Sequence, residues 1–440
     1  MMSASMPTLR AHALARFNEL GVPTTKHEEW KYTSLRKLVD ELDSVLDSVL
    51  VDELDDVLDS VLVDELVSEL DSVNVSKDSL KTSSQTSLKT SSQTVTLFNG
   101  TYRPDLSTLI DVEGLTICEL NDELVASDEK VGAAFTTAAP IDAHAFVALN
   151  TALATSGVVI TVAKNATIPT PLTITCVNDA QTENVLTTPR VLVIAEEGAS
   201  VQVIESHHAQ GEHTAVEVGV TEIIAHANSN VTYVKLLVDV GNTHHIGFTG
   251  GHIYRDAVIR AHTFCIDGTF TRNDLELKLM EPGASAYLDG VSVLNEEQFA
   301  DNHTVVDHLV PHCHSEELYK GVYDGKSTGV FNGKIFVRPQ AQKTTAYQSN
   351  HSLLLSDRAS VNAKPQLEIF ADDVKCSHGA TMGQLDEEAV FYLQARGIGR
   401  DEARALMTYA FAAEVIERLP FDDLRTYLEE RVANKLGAQP

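Results

Sequence analysis

One phrase recurs through the middle of this 440-residue chain, and its period limits what the chain can fold into. A short turn followed by a β-rich run returns as EGASVQV near residue 198, ANSNVTYV near 228, RDAVIRA near 256, PGASAYL near 283 and DRASVNA near 358. The first four lie 27–30 residues apart, and the last gap spans about three such units. Regular β repeats of this length with no helix between them predict the coils of a solenoid, each coil burying the face its neighbour exposes. A β-sandwich has similar strand density, but its turns return every ~8–12 residues without a longer period. The expected fold is mainly β: a parallel β-helix core over residues 141–380, flanked by N-terminal and C-terminal α-helical regions.

Around that core the texture changes. Residues 1–38 and 95–140 form the N-terminal region, which opens on a short helix expected to stop at Gly21. Between them, residues 39–73 repeat a twelve-residue unit with 13 Asp or Glu and no Lys or Arg, and SLKTSSQT then occurs twice over 79–94. Leu returns every four residues from Leu42 to Leu70, which favours helix. Twelve residues are not a whole number of helical turns, so the apolar stripe rotates by roughly a third of a turn per repeat and no face stays buried. Residues 39–94 are therefore expected to be an acidic helical insertion and a Ser/Thr linker outside the core.

The C-terminal region, 381–440, is expected to be helical. Asp386 is placed to cap a helix whose first turn holds Glu387 and Glu388. A second helix starts near Asp401, and Ala403, Leu406, Ala410, Ala413 and Ile416 give it one apolar face. Pro420 ends it, and a third helix follows at about 422–436. Three helices beyond a solenoid are expected to cap its open end and to leave their outer faces free for a partner.

The formal net charge of −30 makes nucleic acid a poor partner, since a phosphate backbone wants Lys and Arg. No apolar run approaches the ~18 residues of a membrane span, and the N-terminus lacks the apolar core of a secretory signal. Five scattered cysteines, Cys118, Cys176, Cys265, Cys313 and Cys376, make no disulfide framework and point to a reducing cytoplasm.

Two clusters invite chemistry. Cys376 and His378 follow a β-like run, QLEIFADDVKC, and residues two apart in a strand share a face. A thiol and an imidazole together suit a borderline metal, or a nucleophile with its base; a buried Cys beside a surface His is the bland alternative. His312, Cys313 and His314 stand together in PHCHSEE, but in a strand the thiol would face away from both imidazoles, which favours a turn. The chain has no CxxC and no run of cysteines able to hold a cluster alone, so a metal site at Cys376 and His378 is short of ligands. GVYDGKS, at 321–327, has three residues between its glycines where a phosphate loop needs four.

Several long stretches resemble a known family. KPQLEIFADDVKCSHGATMGQLDEEAVFYLQARGI, PHCHSEELYKGVYDGKSTGVFNGKIFV, AQKTTAYQSNHSLLLS and the N-terminal EEWKYTSL are similar to the SufB/SufD scaffold subunits of the SUF iron–sulfur cluster assembly system. The phrase around Cys376 favours the SufD side, with a SufB-like scaffold as the alternative. The resemblance covers about 27–38 and 95–440 and excludes the repeat segment. It implies a non-catalytic scaffold that pairs with SufB and binds the SufC ATPase through its C-terminal helices, here the face of Leu406, Ala410, Ala413 and Ile416. It implies that His378, with Cys376 beside it, lies at the SufB interface near a transient Fe–S cluster shared with SufB, and that the isolated chain holds none stably. A homodimer stays open for the isolated chain. Fold alone also permits a polysaccharide-active β-helix enzyme, which would need carboxylates clustered along one solenoid face.

Overall fold

The computed structural model describes residues 6–36, 38 and 93–437; the acidic repeat falls outside them. The chain winds through two long parallel sheets. Successive strands alternate between them, so Ser200–Gln210, Asn230–Asp239, Val258–Cys265, Ser285–Leu294, His314–Tyr323, Thr345–Leu354 and Lys375–Gly383 stack as neighbours in the first. Ala215–Ala225, Thr243–Ile253, Phe270–Leu279, Phe299–His308, Thr328–Val337 and Ser360–Ile369 stack in the second. This is the expected β-solenoid, and its apolar interior runs the length of the stack through residues such as Ile174, Val203, Ile259, Leu288 and Phe331.

The recurring phrase is the corner of each coil. Asn165, Gly198, Asn228, Asp256, Gly283, His312 and Lys343 all have φ between 56° and 82°. Gly takes the left-handed region freely, and Asn, Asp and His enter it more readily than other residues, which accounts for every corner but that of Lys343. Successive corners bond to one another, as from the Gly198 amide to the Ala227 carbonyl and from the Asn228 amide to the Arg255 carbonyl. The phrase near 358 differs from the rest: it opens Ser360–Ile369 of the second sheet, at the opposite corner. No residue of that turn is left-handed; the Ser356 hydroxyl closes it, accepting from the Ala359 amide and donating to the Gly325 carbonyl, so the three-unit gap has no structural meaning. In the first sheet the missing repeats are those at His312 and Lys343.

The N-terminal region covers the outer face of the second sheet. Helix Met6–Leu20 and helix Ala145–Leu153 pack there with Val218, Val220, Ile246 and Phe248. The segment EEWKYTSL docks beside them. Trp30 lies 4.3 Å from the Arg272 guanidinium, whose Nη1 donates to the Glu29 carbonyl at 2.9 Å and to Asp301 Oδ2 at 2.6 Å. Asp274 takes the other side of that guanidinium in a bidentate pair. Burial pushes the Asp301 carboxyl upward, but Arg272 and then His303 outweigh it and hold the group well below the usual carboxylate range. Two sequence boundaries move. The strand Gln93–Phe98 belongs to the first sheet, so residues 93 and 94 lie inside the core and not in the insertion. The sheets run on to Gly383.

The three C-terminal helices, Glu387–Gln394, Arg400–Ile416 and Asp422–Leu436, form where expected. Asp386 accepts from the amides of Glu388 and Ala389. They do not cap the solenoid's end. Ala412, Val415, Ile416, Leu424, Leu428 and Val432 pack on the outer face of the first sheet, against Val234, Leu236, Phe264, Val291 and Leu318. That flank is apolar and outward-facing, and covering it is worth more than covering the smaller end of the stack. Replacing Asp301 by Ala removes one of the two carboxylates that balance the buried Arg272 and leaves its Nη1 with only the Glu29 carbonyl, which should cost on the order of 2–3 kcal/mol in chemical denaturation. A loss under about 1 kcal/mol would show that the N-terminal segment is not clamped through this pair.

Candidate functional site

The stack has two unlike ends. At the first, Thr101–Tyr102 and Leu115–Glu119 pair antiparallel with Gln93–Phe98 and Val158–Val162. Beside that end, the short helices at 122–134 pack Val125 and Val131, with Phe135, on the outer face of the second sheet against Val159, Leu192 and Ile194. At the other end, Ser360–Ile369 and Lys375–Gly383 are the last strands of their sheets, and almost all of the final strand is exposed.

The register decides what this bare coil presents. Cys376, His378 and Ala380 stand over Ala346, Gln348 and Asn350, whose side chains are buried inside the stack. The final strand therefore turns toward the end the face that every earlier coil buries. Cys376 is half-buried against the core, and desolvation raises its thiol, partly offset by a backbone hydrogen bond at Ala346. His378 is exposed. Gly379 and Gly383 have open space where a side chain would project. The same end exposes apolar groups: Phe370 and Met382 are 57% and 58% exposed, and Tyr347, in register with Ser377, is exposed on the sheet's outer face.

Below His378 the interior turns polar. Leu288, Glu317, Gln348 and His378 occupy one register column. Gln348 Nε2 donates to Glu317 Oε2 at 2.8 Å. Burial pushes the Glu317 carboxyl up to about 7, against the pull of hydrogen bonds from Thr304 and Gln348. The column thus ends in an exposed imidazole above a buried carboxyl that titrates near neutrality.

Cys376 and His378 share a face, as the spacing predicts. PHCHSEE is a turn that runs into the strand starting at His314: His312 is left-handed, and Cys313 is buried in the core with its thiol donating to the Glu281 carbonyl at 3.5 Å. Burial pushes that thiol up to about 11, so it is a packing residue. The proposed helix face divides. Ile416 and Ala413 are buried, Leu406 is half-buried and Ala410 is exposed. Exposed apolar area in these helices sits instead at Phe391 and Tyr392, 70% and 55% exposed. The sequence held a signal for this, because adjacent residues on a helix point about 100° apart and Val390, next to them, is the buried one.

The fold is thus a parallel β-solenoid finished at one end by antiparallel strands and at the other by a bare coil that carries a thiol and an imidazole. Known proteins give the family. A model of the SUF system FeS cluster assembly SufBD core domain matches residues 177–411, and one of the SufBD protein N-terminal region matches 1–43 and 68–174. The unmatched residues 44–67 lie within the acidic repeat. The chain is 28% identical over 432 residues to an iron–sulfur cluster assembly SufBD family protein of Synechocystis, covering 96% of this chain and 90% of the relative. It is 29% identical to the iron–sulfur cluster assembly protein SufD of Escherichia coli, over 98% of this chain and 93% of the relative. The SufD of Bacillus subtilis is 28% identical over 67% and 68% of the two chains. The chain belongs to the SufBD family of the SUF iron–sulfur cluster assembly system, and it is SufD-like.

Glu317 makes stability depend on pH. Its folded pKa of about 7 lies above the unfolded 4.5, so the folded chain keeps a proton that the unfolded chain sheds in between. The benefit is full below the unfolded value and is lost as pH rises through the folded one. Glu317→Gln, which cannot ionise, should gain on the order of 3 kcal/mol relative to the parent between about pH 5 and pH 8 in denaturation curves. A difference between the two proteins that stays flat over that window would contradict the assignment.

Proposed function

We propose that this chain is a non-catalytic scaffold subunit of SUF iron–sulfur cluster assembly, working in the cytoplasm, whose bare end receives a SufB-type solenoid. The observation that carries the reading is the exposed His378 on the inward-turned face of the last coil, with Cys376 beside it. Imidazole and thiolate both bind iron, and a stable cluster usually takes four thiolates. Of the five cysteines only Cys376 lies in this coil, so the remaining ligands for a nascent cluster come from the partner. The cluster is cargo, held across the seam and released, and the isolated chain retains none.

The exposed Phe370, Met382 and Tyr347 give the seam apolar contact area, and two unpaired strand edges can extend their sheets into another chain. The SufC-type ATPase docks on the C-terminal helices, where Phe391 and Tyr392 supply the aromatic anchors that interfaces favour and Leu406 and Ala410 are the accessible members of the expected face. Ala413 and Ile416 support those helices from beneath. The names of the relatives, which are iron–sulfur cluster assembly proteins, support this reading over a polysaccharide-active enzyme.

The test co-expresses the chain with SufB-type and SufC-type partners and measures iron and acid-labile sulfide on the purified complex. His378→Ala should leave the complex assembled and its unfolding free energy within about 0.5 kcal/mol, as for other exposed positions, while bound cluster falls about tenfold or more, the scale of losing a metal-site contact. Cys376→Ala should have a weaker effect. Undiminished cluster on the His378→Ala complex would remove the ligand role.

A further inference from the structure

Far from the bare end, a second cluster of metal-ligating side chains lies inside the stack. Ser200–Gln210 contributes His207, Ala215–Ala225 contributes Glu217 and Thr243–Ile253 contributes His245, three donors from adjoining coils and both sheets. All three are fully buried, and one donor atom of each lies within 4.8 Å of the other two. Glu217 Oε1 is 2.6 Å from His207 Nδ1 and 2.7 Å from His245 Nδ1. The two imidazole rings meet nearly edge-on, with centroids 4.7 Å apart.

The surroundings are those of a held ligand set. His207 Nε2 lies 2.9 Å from Glu205 Oε1. Glu205 is itself fixed by Thr221 Oγ1 at 2.6 Å and by the Tyr233 hydroxyl at 2.9 Å. A carboxylate behind an imidazole is the usual outer shell of a metal-binding histidine, because it fixes the tautomer and leaves the other nitrogen's lone pair forward. Here the forward nitrogen is Nδ1, which touches Glu217 without hydrogen-bond geometry. Asn178 Nδ2 donates to Glu217 Oε2 at 2.6 Å and leaves Oε1 to the two histidines. His245 Nε2 is buried with no hydrogen-bond partner. Space beside it is kept by Gly247, where a Cβ would fall 2.4 Å from that nitrogen.

We propose that His207, Glu217 and His245 form a binding site for one divalent first-row transition metal ion such as Zn2+ or Fe2+, separate from the bare end and beyond the cluster-scaffold reading. Two imidazoles and a carboxylate suit such an ion, and protons hold these contacts in its absence. Binding releases those protons to solvent. The register partner of His207 is Cys176, a buried thiol on the neighbouring coil and the candidate for a fourth donor. Its thiolate also closes the charge count: Glu205, Glu217 and Cys176 then balance the dication and the buried Lys235 ammonium. The ion would tie three consecutive coils together and so stiffen the first half of the stack.

The test uses the full-length chain carrying Cys376→Ser and His378→Ala, so that the bare end contributes no ligands. The protein is refolded with Co2+, Zn2+ or Fe2+ under anaerobic conditions, passed over a chelating resin and assayed for metal. One equivalent should remain, the melting temperature should rise with added metal, and Co2+ should give tetrahedral d–d absorption with a thiolate charge-transfer band. Glu217→Gln and His245→Ala should each retain less than a tenth of that metal and lose the melting shift. His262→Ala removes another buried histidine, 2% exposed and outside the cluster, and should keep both. If one cluster variant fails to refold, the other carries the comparison. Equal metal on the parent and the cluster variants, or none on the parent, overturns the site. Bound Co2+ without the thiolate band overturns Cys176 as the fourth donor.

Discussion

A stack of parallel coils has to end somewhere, and each end exposes a row of backbone groups and one layer of interior side chains. The features of this molecule follow from how unequally its two ends are treated. The first is finished by antiparallel strands, as single-chain β proteins often break up their edges. The second is left as a full-length coil with two free edges. An exposed flat edge is an aggregation hazard unless another chain is meant to cover it. The chain's membership of the SufBD family of iron–sulfur cluster assembly proteins is the setting in which the proposed seam at this edge is to be tested.

The same constraint explains where the chemistry lies. Every coil before the last buries its inward residues, which are mostly aliphatic apart from the polar groups around His207, Glu217 and His245. Toward the bare end they become Glu317, Gln348 and Asn350, and then His378 in the open. Burial raises the pKa of Glu317 and solvent bathes His378, although they share a column, because one sits two coils deep and the other on the surface. The flanking regions act on the outside. The Trp30–Arg272–Asp301 clamp holds the N-terminal segment on one sheet, and the C-terminal helices cover the apolar flank of the other.

Much of this was legible in the residues. The 27–30-residue period predicts the solenoid because the corners that carry it take a left-handed residue, and Gly198, Asn228, Asp256 and Gly283 are such residues. The pairing of Cys376 with His378 follows from strand parity alone. What could not be read is what depends on contacts between distant segments. A 3-4-3-3 spacing says that one face of Arg400–Ile416 is covered, and the solenoid flank satisfies it as well as a partner would, so Ala413 and Ile416 are spent inside the chain. Which coil is last, and whether anything caps it, depends on where stacking stops. The His207–Glu217–His245 cluster comes from three strands whose register no local pattern reveals.

Hydrogen–deuterium exchange on the chain alone and in complex with a SufB-type partner tests the central claim, that the bare coil is the seam. Amides of Ser360–Ile369 and Lys375–Gly383 should exchange quickly in the free chain and become strongly protected in the complex, while Ser200–Gln210 stays protected in both. Protection confined to the N-terminal region or to the C-terminal helices, with the last two strands unchanged, would contradict it.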